Sequence, residues 1–255
     1  MIELKSPGQL DRMRAAGRLV AAALAAVRSH AAVGVSLREL DAVAAAVIAD
    51  AGARSSFLHY RPRSAPTPYP AVICASVNDA VVHGIPTGYR LADGDLVSID
   101  CGAIVDGWHG DSAISFTVGT PRPADLALIE TTERALAAGI AACRPGAKLG
   151  DVSHAVGRVA RAAGYGLLAD HGGHGVGRAM HELPHVPNEG RPGRGMRLRP
   201  GLVIAIEPML HAGGSDAYRI GEDGWTLYTA DGSRAAHAEH TVAITPDGPV
   251  VLTAG

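Results

Sequence analysis

The chain has 255 residues, of which 47% are hydrophobic, so it can build a large domain with a substantial core. A formal net charge of −2 gives no basic footprint for nucleic acid, and three cysteines are too few and odd for a disulfide framework. The amino-terminal stretch carries no signal-peptide pattern, and no apolar run is long enough to span a bilayer. We therefore expect a cytoplasmic protein that binds neither membranes nor nucleic acid.

The first half of the chain begins with two predicted helices. Ser6 and Pro7, with Gln9 three residues after the serine, form a helix start, and an apolar face continues to about His30. A second capping box, Ser36 to Glu39, predicts a helix that ends near Gly52.

A proline-rich loop from His59 to Pro70 follows the second helix. Two short apolar runs come next, Ala71 to Val77 and Ala80 to His83. Because Asn78 and Asp79 separate them, we predict that these two runs form a short hairpin.

The strongest local signal is a longer hairpin from Leu96 to Val118, with Asp106-Gly107 at its turn. A two-residue loop places Asp111 opposite Gly102, and Asp100 is two residues further along the same face. The two aspartates are then diagonal neighbours about 7–8 Å apart. This spacing alone fits either two solvent-facing carboxylates or a pair that shares cations.

The second half repeats the pattern of the first. A helix from about Pro123 to Cys143 stops at Pro145-Gly146, and another runs from about Leu149 to Gly164. Residues around the second and fourth helices match in order: Gly34, Leu37, Val47, Ala51 and Gly52 correspond to Gly146, Leu149, Val159, Ala163 and Gly164. We expect one domain, residues 1–255, built from pseudo-symmetric halves of about 1–120 and 121–255; the alternative is a chance match between two ordinary amphipathic helices.

Two further carboxylates lie on apolar strands of the second half. Glu207 is at the tip of a strand predicted from Gly201 to Pro208, and Glu239 lies in one predicted from His237 to Thr245. Burying four unpaired carboxylates would cost several kcal/mol each, which favours a cation among them.

A histidine-rich segment, His171 to Asn188, separates these strands from the fourth helix. It contains His181-Glu182-Leu183-Pro184-His185, which matches the H-E-x-x-H zinc-protease pattern. That pattern requires a helix interior, and Pro184 within it and glycines before it exclude one. We therefore reject a zinc-protease site of that type.

Five segments carry a resemblance over nearly the whole chain. They are SVNDAVVHGIP (76–86), GDLVSIDCG with DGWHGD (94–111), GHGVGRAMHELP (173–184), LRPGLVIAIEPM (198–209) and EHTVAIT (239–245). Together they resemble the type I methionine aminopeptidases, in the short form without an amino-terminal extension. The resemblance implies an α+β fold, the creatinase-like pita-bread fold. Its two pseudo-twofold-related halves place antiparallel sheets around a central dinuclear metal site and helices outside.

The resemblance also implies a set of site residues. Five ligands to two divalent ions, which are Co, Mn, Fe or Zn, correspond to Asp100, Asp111, His174, Glu207 and Glu239. The histidines that contact substrate correspond to His83 and His181. The methionine pocket corresponds to Tyr69, Cys74, Met180 and Trp225.

The implied reaction is removal of the N-terminal methionine from nascent proteins and peptides that carry a small second residue. Two cations would activate a bridging water, with Glu207 moving its proton, His181 stabilising the oxyanion and His83 contacting the amide nitrogen. We expect a monomer that meets its substrate at the ribosome.

Two departures and two alternatives remain open. Met180 stands where the family often has an aromatic residue, just before the second loop histidine. The loop from His59 to Pro70 is longer than its counterpart in the family, which leaves the role of Tyr60 undecided. An X-Pro aminopeptidase or prolidase has similar ligands but normally carries an extra amino-terminal domain. A non-catalytic binding module of the same fold would normally have lost ligands, and all five are present here.

Overall fold

The protein is described by a computed structural model covering residues 2–63 and 65–255. Within these residues the chain forms four helices: α1 (Pro7–His30), α2 (Leu37–Asp50), α3 (Pro123–Ala142) and α4 (Leu149–Ala162). The strands are β1 (Arg54–Ser55), β2 (Ile73–Val77), β3 (Ala80–Val82), β4 (Leu96–Val105), β5 (Trp108–Thr117), β6 (Gly166–Leu167), β7 (Gly172–Gly175), β8 (Glu182–Pro187), β9 (Val203–Ile206), β10 (Met209–His211), β11 (Tyr218–Ile220), β12 (Leu227–Thr229), β13 (Ala235–His237), β14 (Glu239–Thr245) and β15 (Gly248–Val251).

The predicted helix starts are confirmed at atomic detail. The backbone N–H of Ser6 donates to Gln9 Oε1 at 2.7 Å, and that of Ser36 donates to Glu39 Oε2 at the same distance. Each bond satisfies a donor that the first turn of a helix leaves free.

The long hairpin also has its predicted register. Gly102 pairs with Asp111 on β4 and β5, and Asp106 and Gly107 take φ values of 50° and 75° at the turn. Asp100 pairs with Ala113, so Asp100 and Asp111 lie on one face of the hairpin.

One large antiparallel sheet organises the molecule. Its strands run in the order β1-β4-β5-β14-β9-β7-β8, with β2 added to β4 and β15 to β14. Helices α1 and α2 share a hydrophobic core with β2 and β4, whereas α3 and α4 share another with β9 and β14. Each half therefore contributes a helix pair and central strands to one continuous sheet.

The hairpin predicted around Asn78 and Asp79 is wrong. Both strands exist, but β2 pairs with β4, whereas β3 pairs with β12 in a separate three-stranded sheet. The physical reason lies at Asn78, whose backbone N–H donates to Leu96 O and whose side-chain oxygen accepts from Leu96 N. These bonds tie the turn to β4 and send the next strand into the other sheet.

The strand predicted from His237 to Thr245 is divided. Residues 235–237 form β13, which pairs with β10, and the long strand β14 begins at Glu239. A short alternating run does not reveal that the chain changes sheet at Ala238.

The internal repeat is visible in the helices. α2 and α4 each have 14 residues. Gly34 and Gly146 precede them with the same φ of 89°, and Gly52 and Gly164 follow them with positive φ. This correspondence supports our proposal of a single domain with halves of about 1–120 and 121–255.

Two expectations from composition can be compared with the structure. Cys74, Cys101 and Cys143 are all free and buried, so no disulfide joins them. Across the described residues, no helix has both the length and the apolar character needed to cross a membrane.

At Gly17, helix α1 contacts neighbouring backbone so closely that no side chain would fit there. A Cβ atom at Gly17 would overlap the carbonyl oxygen of Leu252, and one at Gly110 on β5 would lie 2.8 Å from Gly17 N. α1 is therefore pressed between β5 and the chain segment around residue 252.

We predict that Gly17→Ala lowers the free energy of unfolding by about 1–3 kcal/mol, because the new methyl group overpacks this contact. Gly8→Ala is the matched control in the same helix, since nothing lies within 4 Å of its Cβ position. Alanine is the better helix former, so Gly8→Ala should be neutral or stabilising. Urea denaturation of both variants is the measurement, and equal stability would contradict the packing argument.

Candidate active site

All eleven residues proposed from the sequence line a single cavity of about 360 Å³. Three others, Phe57, Tyr60 and Pro62, complete its lining. One side of the cavity is carboxylate-rich and the other is aromatic, so it divides into a candidate metal centre and a candidate side-chain pocket.

Four of the candidate ligands lie in strands of the large sheet and Glu207 directly follows a fifth, with the strands in the order β4, β5, β14, β9 and β7. In that order the residues are Asp100, Asp111, Glu239, Glu207 and His174. Asp100 and Glu239 both pair with Ala113, and opposed residues of an antiparallel ladder point to the same face. The register of the sheet thus directs the carboxylates to one point.

His174 is oriented by its own backbone. Its Nδ1 lies 2.9 Å from the carbonyl oxygen of Gly175, which can only accept, so Nδ1 carries the hydrogen and donates. The lone pair is therefore on Nε2, which is 3.5 Å from Asp111 Oδ2 and 3.7 Å from Glu207 Oε1. This is the arrangement in which a histidine binds a metal ion.

The donor set fits divalent cations. Asp100 Oδ1, Asp111 Oδ1 and Glu239 Oε1 are buried and lack a hydrogen-bond partner among the described residues. Two groups of three side chains have donor atoms within 4.8 Å of one another: Asp111, His174 and Glu239, and then Glu207, His237 and Glu239. Buried carboxylate oxygens without partners are costly unless a cation satisfies them.

The pKa values of the cluster support the same conclusion. Burial, followed by the charge of Asp111, raises the pKa values of Asp100 and Glu239 well above their usual range. Burial also acts to raise the pKa of Glu207, but the nearby imidazole of His237 and the charge of His174 outweigh it, so this pKa is lowered. A cation would favour the ionised form of all these groups.

The H-E-x-x-H pattern lies mostly on a strand and not on a helix. Residues 182–187 form β8, the edge strand of the sheet, so the two histidines do not lie one turn apart on a helix. His185 is exposed on that strand, whereas His181 lines the cavity.

Two histidines face the cavity beside the carboxylates. Burial lowers the pKa of His83 to about 4. Partial desolvation at the cavity wall lowers the pKa of His181 to about 3, and the neighbouring His174, with ring centroids 4.0 Å apart, acts in the same direction. Both imidazoles are therefore neutral near pH 7 and can each offer one N–H.

Tyr60 holds one of these histidines. Its hydroxyl oxygen lies 2.9 Å from His181 Nδ1, and the two rings stack at 5.3 Å with an angle of 24°. Tyr60 lies near the start of the proline-rich loop from His59 to Pro70, and hydrogen bonds from His59 N to Tyr69 O and from Tyr69 N to Tyr60 O close the base of this loop. The longer loop therefore leaves Tyr60 at the cavity wall.

The apolar side of the cavity is built from aromatic rings. Tyr69 packs edge-on against Trp225 at 5.0 Å and against Phe57 at 6.4 Å, and its hydroxyl lies within hydrogen-bond distance of Gly84 O and Ile73 O. Cys74 and Met180 belong to the same buried cluster. Rigid rings and soft sulfur atoms suit a flexible apolar side chain.

Sequence reasoning missed some of the site. From the sequence, His237 is placed at the start of a strand and is given no role in the site. His237 is two residues from Glu239, and residues at that spacing point to the same face of a strand. Phe57 and Pro62 lie in the irregular segment between β1 and β2, where no periodicity predicts which side chains turn inward.

The sequence is similar to known proteins over its whole length. The model of metallopeptidase family M24 matches residues 11–246. Methionine aminopeptidase 1 of Mycobacterium tuberculosis is 55% identical, and the alignment covers 100% of this chain and 96% of that protein. Methionine aminopeptidase 1 of Bacillus subtilis is 42% identical, with 99% of each chain covered. The chain therefore belongs to the M24 metallopeptidases.

Solved structures show which members of that family the chain resembles over its full length. The crystal structure of a methionine aminopeptidase from Thermotoga maritima superposes with a TM-score of 0.95 at 38% identity, covering 100% of both chains. A prolidase from Pyrococcus furiosus gives 0.77 at 22% identity and is covered over 65% of its length, which shows the fold alone. The fold is thus the pita-bread fold, and full-length similarity groups the chain with the methionine aminopeptidases.

We predict that His174→Ala reduces metal binding and abolishes activity, because it removes the only nitrogen donor proposed as a ligand. His185→Ala should keep both, since that side chain is exposed on the edge strand. Elemental analysis of both purified variants is the measurement. Loss of metal from the His185 variant would restore the zinc-protease interpretation.

Proposed function

We propose that this chain removes the N-terminal methionine from nascent proteins and peptides with a small second residue, using two divalent cations. The observation that carries the proposal is the convergence of five donor side chains, four in adjacent strands and Glu207 directly after a fifth, beside an apolar cavity of side-chain size. A metal centre next to such a pocket suits hydrolysis of a bond that the pocket positions.

The proposed ligands are Asp100, Asp111, His174, Glu207 and Glu239. Carboxylate oxygens with one imidazole suit Co, Mn, Fe or Zn, so availability decides among them. When bound, such ions lower the pKa of water and supply a nucleophile at neutral pH.

The residues around the proposed ligands have separate roles. Glu207 takes up and returns the proton of the attacking water, as a carboxylate whose pKa is kept low. His181 donates an N–H to the oxygen on which negative charge develops, and His83 contacts the scissile amide nitrogen. Because Tyr60 holds His181 Nδ1, the Nε2 nitrogen remains for the substrate.

The pocket selects the residue to be removed. Tyr69, Trp225, Cys74 and Met180 surround the methionine side chain in our proposal, and Phe57 and Pro62 extend that wall. An unbranched thioether fits between rings that cannot rearrange easily, whereas a charged side chain would lose its hydration there.

We further propose that the protein acts as a cytoplasmic monomer that meets nascent chains at the ribosome.

The function is tested with peptides Met-X-Gly in which X is varied. We expect release of methionine when X is Gly, Ala or Ser and little release when X is large, with complete loss after chelation and recovery with Mn²⁺, Co²⁺ or Fe²⁺. Peptides of the form Ala-Pro-Gly are the control for an X-Pro peptidase. Preferential cleavage of that control, or full activity without metal, would refute the proposal.

A second prediction concerns His181→Ala. An oxyanion donor acts mainly in the transition state, so kcat should fall about 10²–10³-fold while KM changes little. Metal content should stay at the wild-type level, because His181 is assigned to the substrate. His154→Ala, at an exposed position on α4, is the control. Loss of a metal ion from the His181 variant would show that the ligand set is misassigned.

A further inference from the structure

His237 is a buried imidazole beside the carboxylates for which the proposed function has no role. Its side chain is 2% exposed, and Nε2 lies 3.4 Å from Glu207 Oε2 and 4.0 Å from Glu239 Oε2. Nε2 makes no hydrogen bond of good geometry within the described residues. Leaving a buried polar nitrogen unsatisfied costs about 1–3 kcal/mol, so its position next to these oxygens calls for a function.

The two oxygens of Glu207 face different histidines. Oε1 is 3.7 Å from His174 Nε2, on the side of the proposed metal centre, whereas Oε2 is 3.4 Å from His237 Nε2. Because both oxygens are bonded to one planar carbon, a group that holds Oε2 also fixes the direction in which Oε1 points.

His237 itself is fixed by the sheet and not by Glu207. Its backbone N–H donates to Ser115 Oγ at 3.0 Å, and that hydroxyl lies 2.8 Å from His237 O and 2.7 Å from Ser98 Oγ. Ser115 and Ser98 belong to β5 and β4, the strands that also carry the two aspartates. The backbone that carries the imidazole is thus anchored to the strands that hold the two aspartates.

We propose that His237 is a positioning residue for Glu207, with Nε2–H donating to Oε2 so that Oε1 is directed at a cation shared with His174 and Asp111. The inference rests on the proposed function and deepens it. Metal-binding carboxylates are commonly hydrogen-bonded by such outer partners, whose loss costs about 10–100-fold in metal affinity or activity.

The competing assignment is that His237 binds a cation directly with Glu207 and Glu239, since the three donor atoms lie within 4.8 Å of one another. The two assignments differ in the number of imidazoles bound to metal. Only His174 is a ligand in our proposal, whereas both histidines are ligands in the alternative.

The experiment compares His237→Leu, which removes the donor, with His237→Gln, whose side-chain amide can still donate to Glu207. Isothermal titration with Mn²⁺ and Zn²⁺ measures metal affinity, and X-ray absorption of the zinc-loaded protein counts bound imidazoles. We expect His237→Leu to weaken one binding step about 10–100-fold without changing the imidazole count, and His237→Gln to recover most of the affinity. His185→Leu, on the exposed edge strand, is the matched control and should match the wild type.

Kinetics give an independent readout. The leucine variant should lose about 10–100-fold in kcat with little change in KM, because its methionine pocket is intact, and the glutamine variant should recover most of this loss. If the leucine variant does not fold, His237→Asn replaces it, since its shorter amide falls short of Glu207.

Three outcomes would overturn the inference: a lower imidazole count in the leucine variant, unchanged affinity in that variant, or no recovery with glutamine. Failure of the proposed function is distinguishable from these. A wild-type protein that binds metal but releases no methionine would contradict the function, while the affinity series would still test the role of His237.

Discussion

Mutual repulsion among four carboxylates inside one cavity is the constraint on which the rest of the structure depends. Asp100, Asp111, Glu207 and Glu239 are close enough to influence one another's ionisation, and burial already disfavours their charged forms. A flexible scaffold would relieve this repulsion by moving the groups apart. Here each group is part of, or directly adjoins, a strand paired to its neighbours, so the hydrogen-bonded ladder holds the charges together and cations must compensate them. The repulsion lowers the stability of the metal-free protein, and the binding site is formed before a cation binds.

The surroundings of the cluster can be understood from the same constraint. His174 is turned toward the carboxylates by its bond to Gly175 O, and its positive form or a bound cation relieves the same repulsion. Beyond the cluster the groups are neutral: the pKa values of His83 and His181 are lowered to about 4 and about 3, and the rings of Tyr69 and Trp225 carry no charge. Charge is therefore confined to one side of the cavity, and the other side offers only shape and single hydrogen-bond donors.

Much of this arrangement could be predicted because it depends on local rules. The Asp106-Gly107 turn fixed the register of the central hairpin, which placed Asp100 and Asp111 on one face, and capping residues marked the helix starts. Family resemblance supplied the remaining site residues, all of which line the cavity. The errors arose where long-range pairing decides: β3 joins another sheet because of bonds at Asn78, and a change of sheet before Glu239 concealed the proximity of His237 to Glu207. A sequence pattern describes which face a residue occupies, not which distant strand meets it.

The contact between Gly17 and Leu252 imposes an order on the assembly of the chain. α1 is among the first segments to be synthesised, yet one of its sides is covered by residues around 252, and the neighbouring strand β5 pairs with β14 from the other end of the sequence. The emerging amino-terminal half can form its hairpin and helices, but it cannot complete its core until the carboxyl-terminal strands leave the ribosome. During translation its apolar helix face and the edge of β5 remain uncovered, and the proposed ligands His174, Glu207 and Glu239 join the two aspartates only after synthesis of the second half.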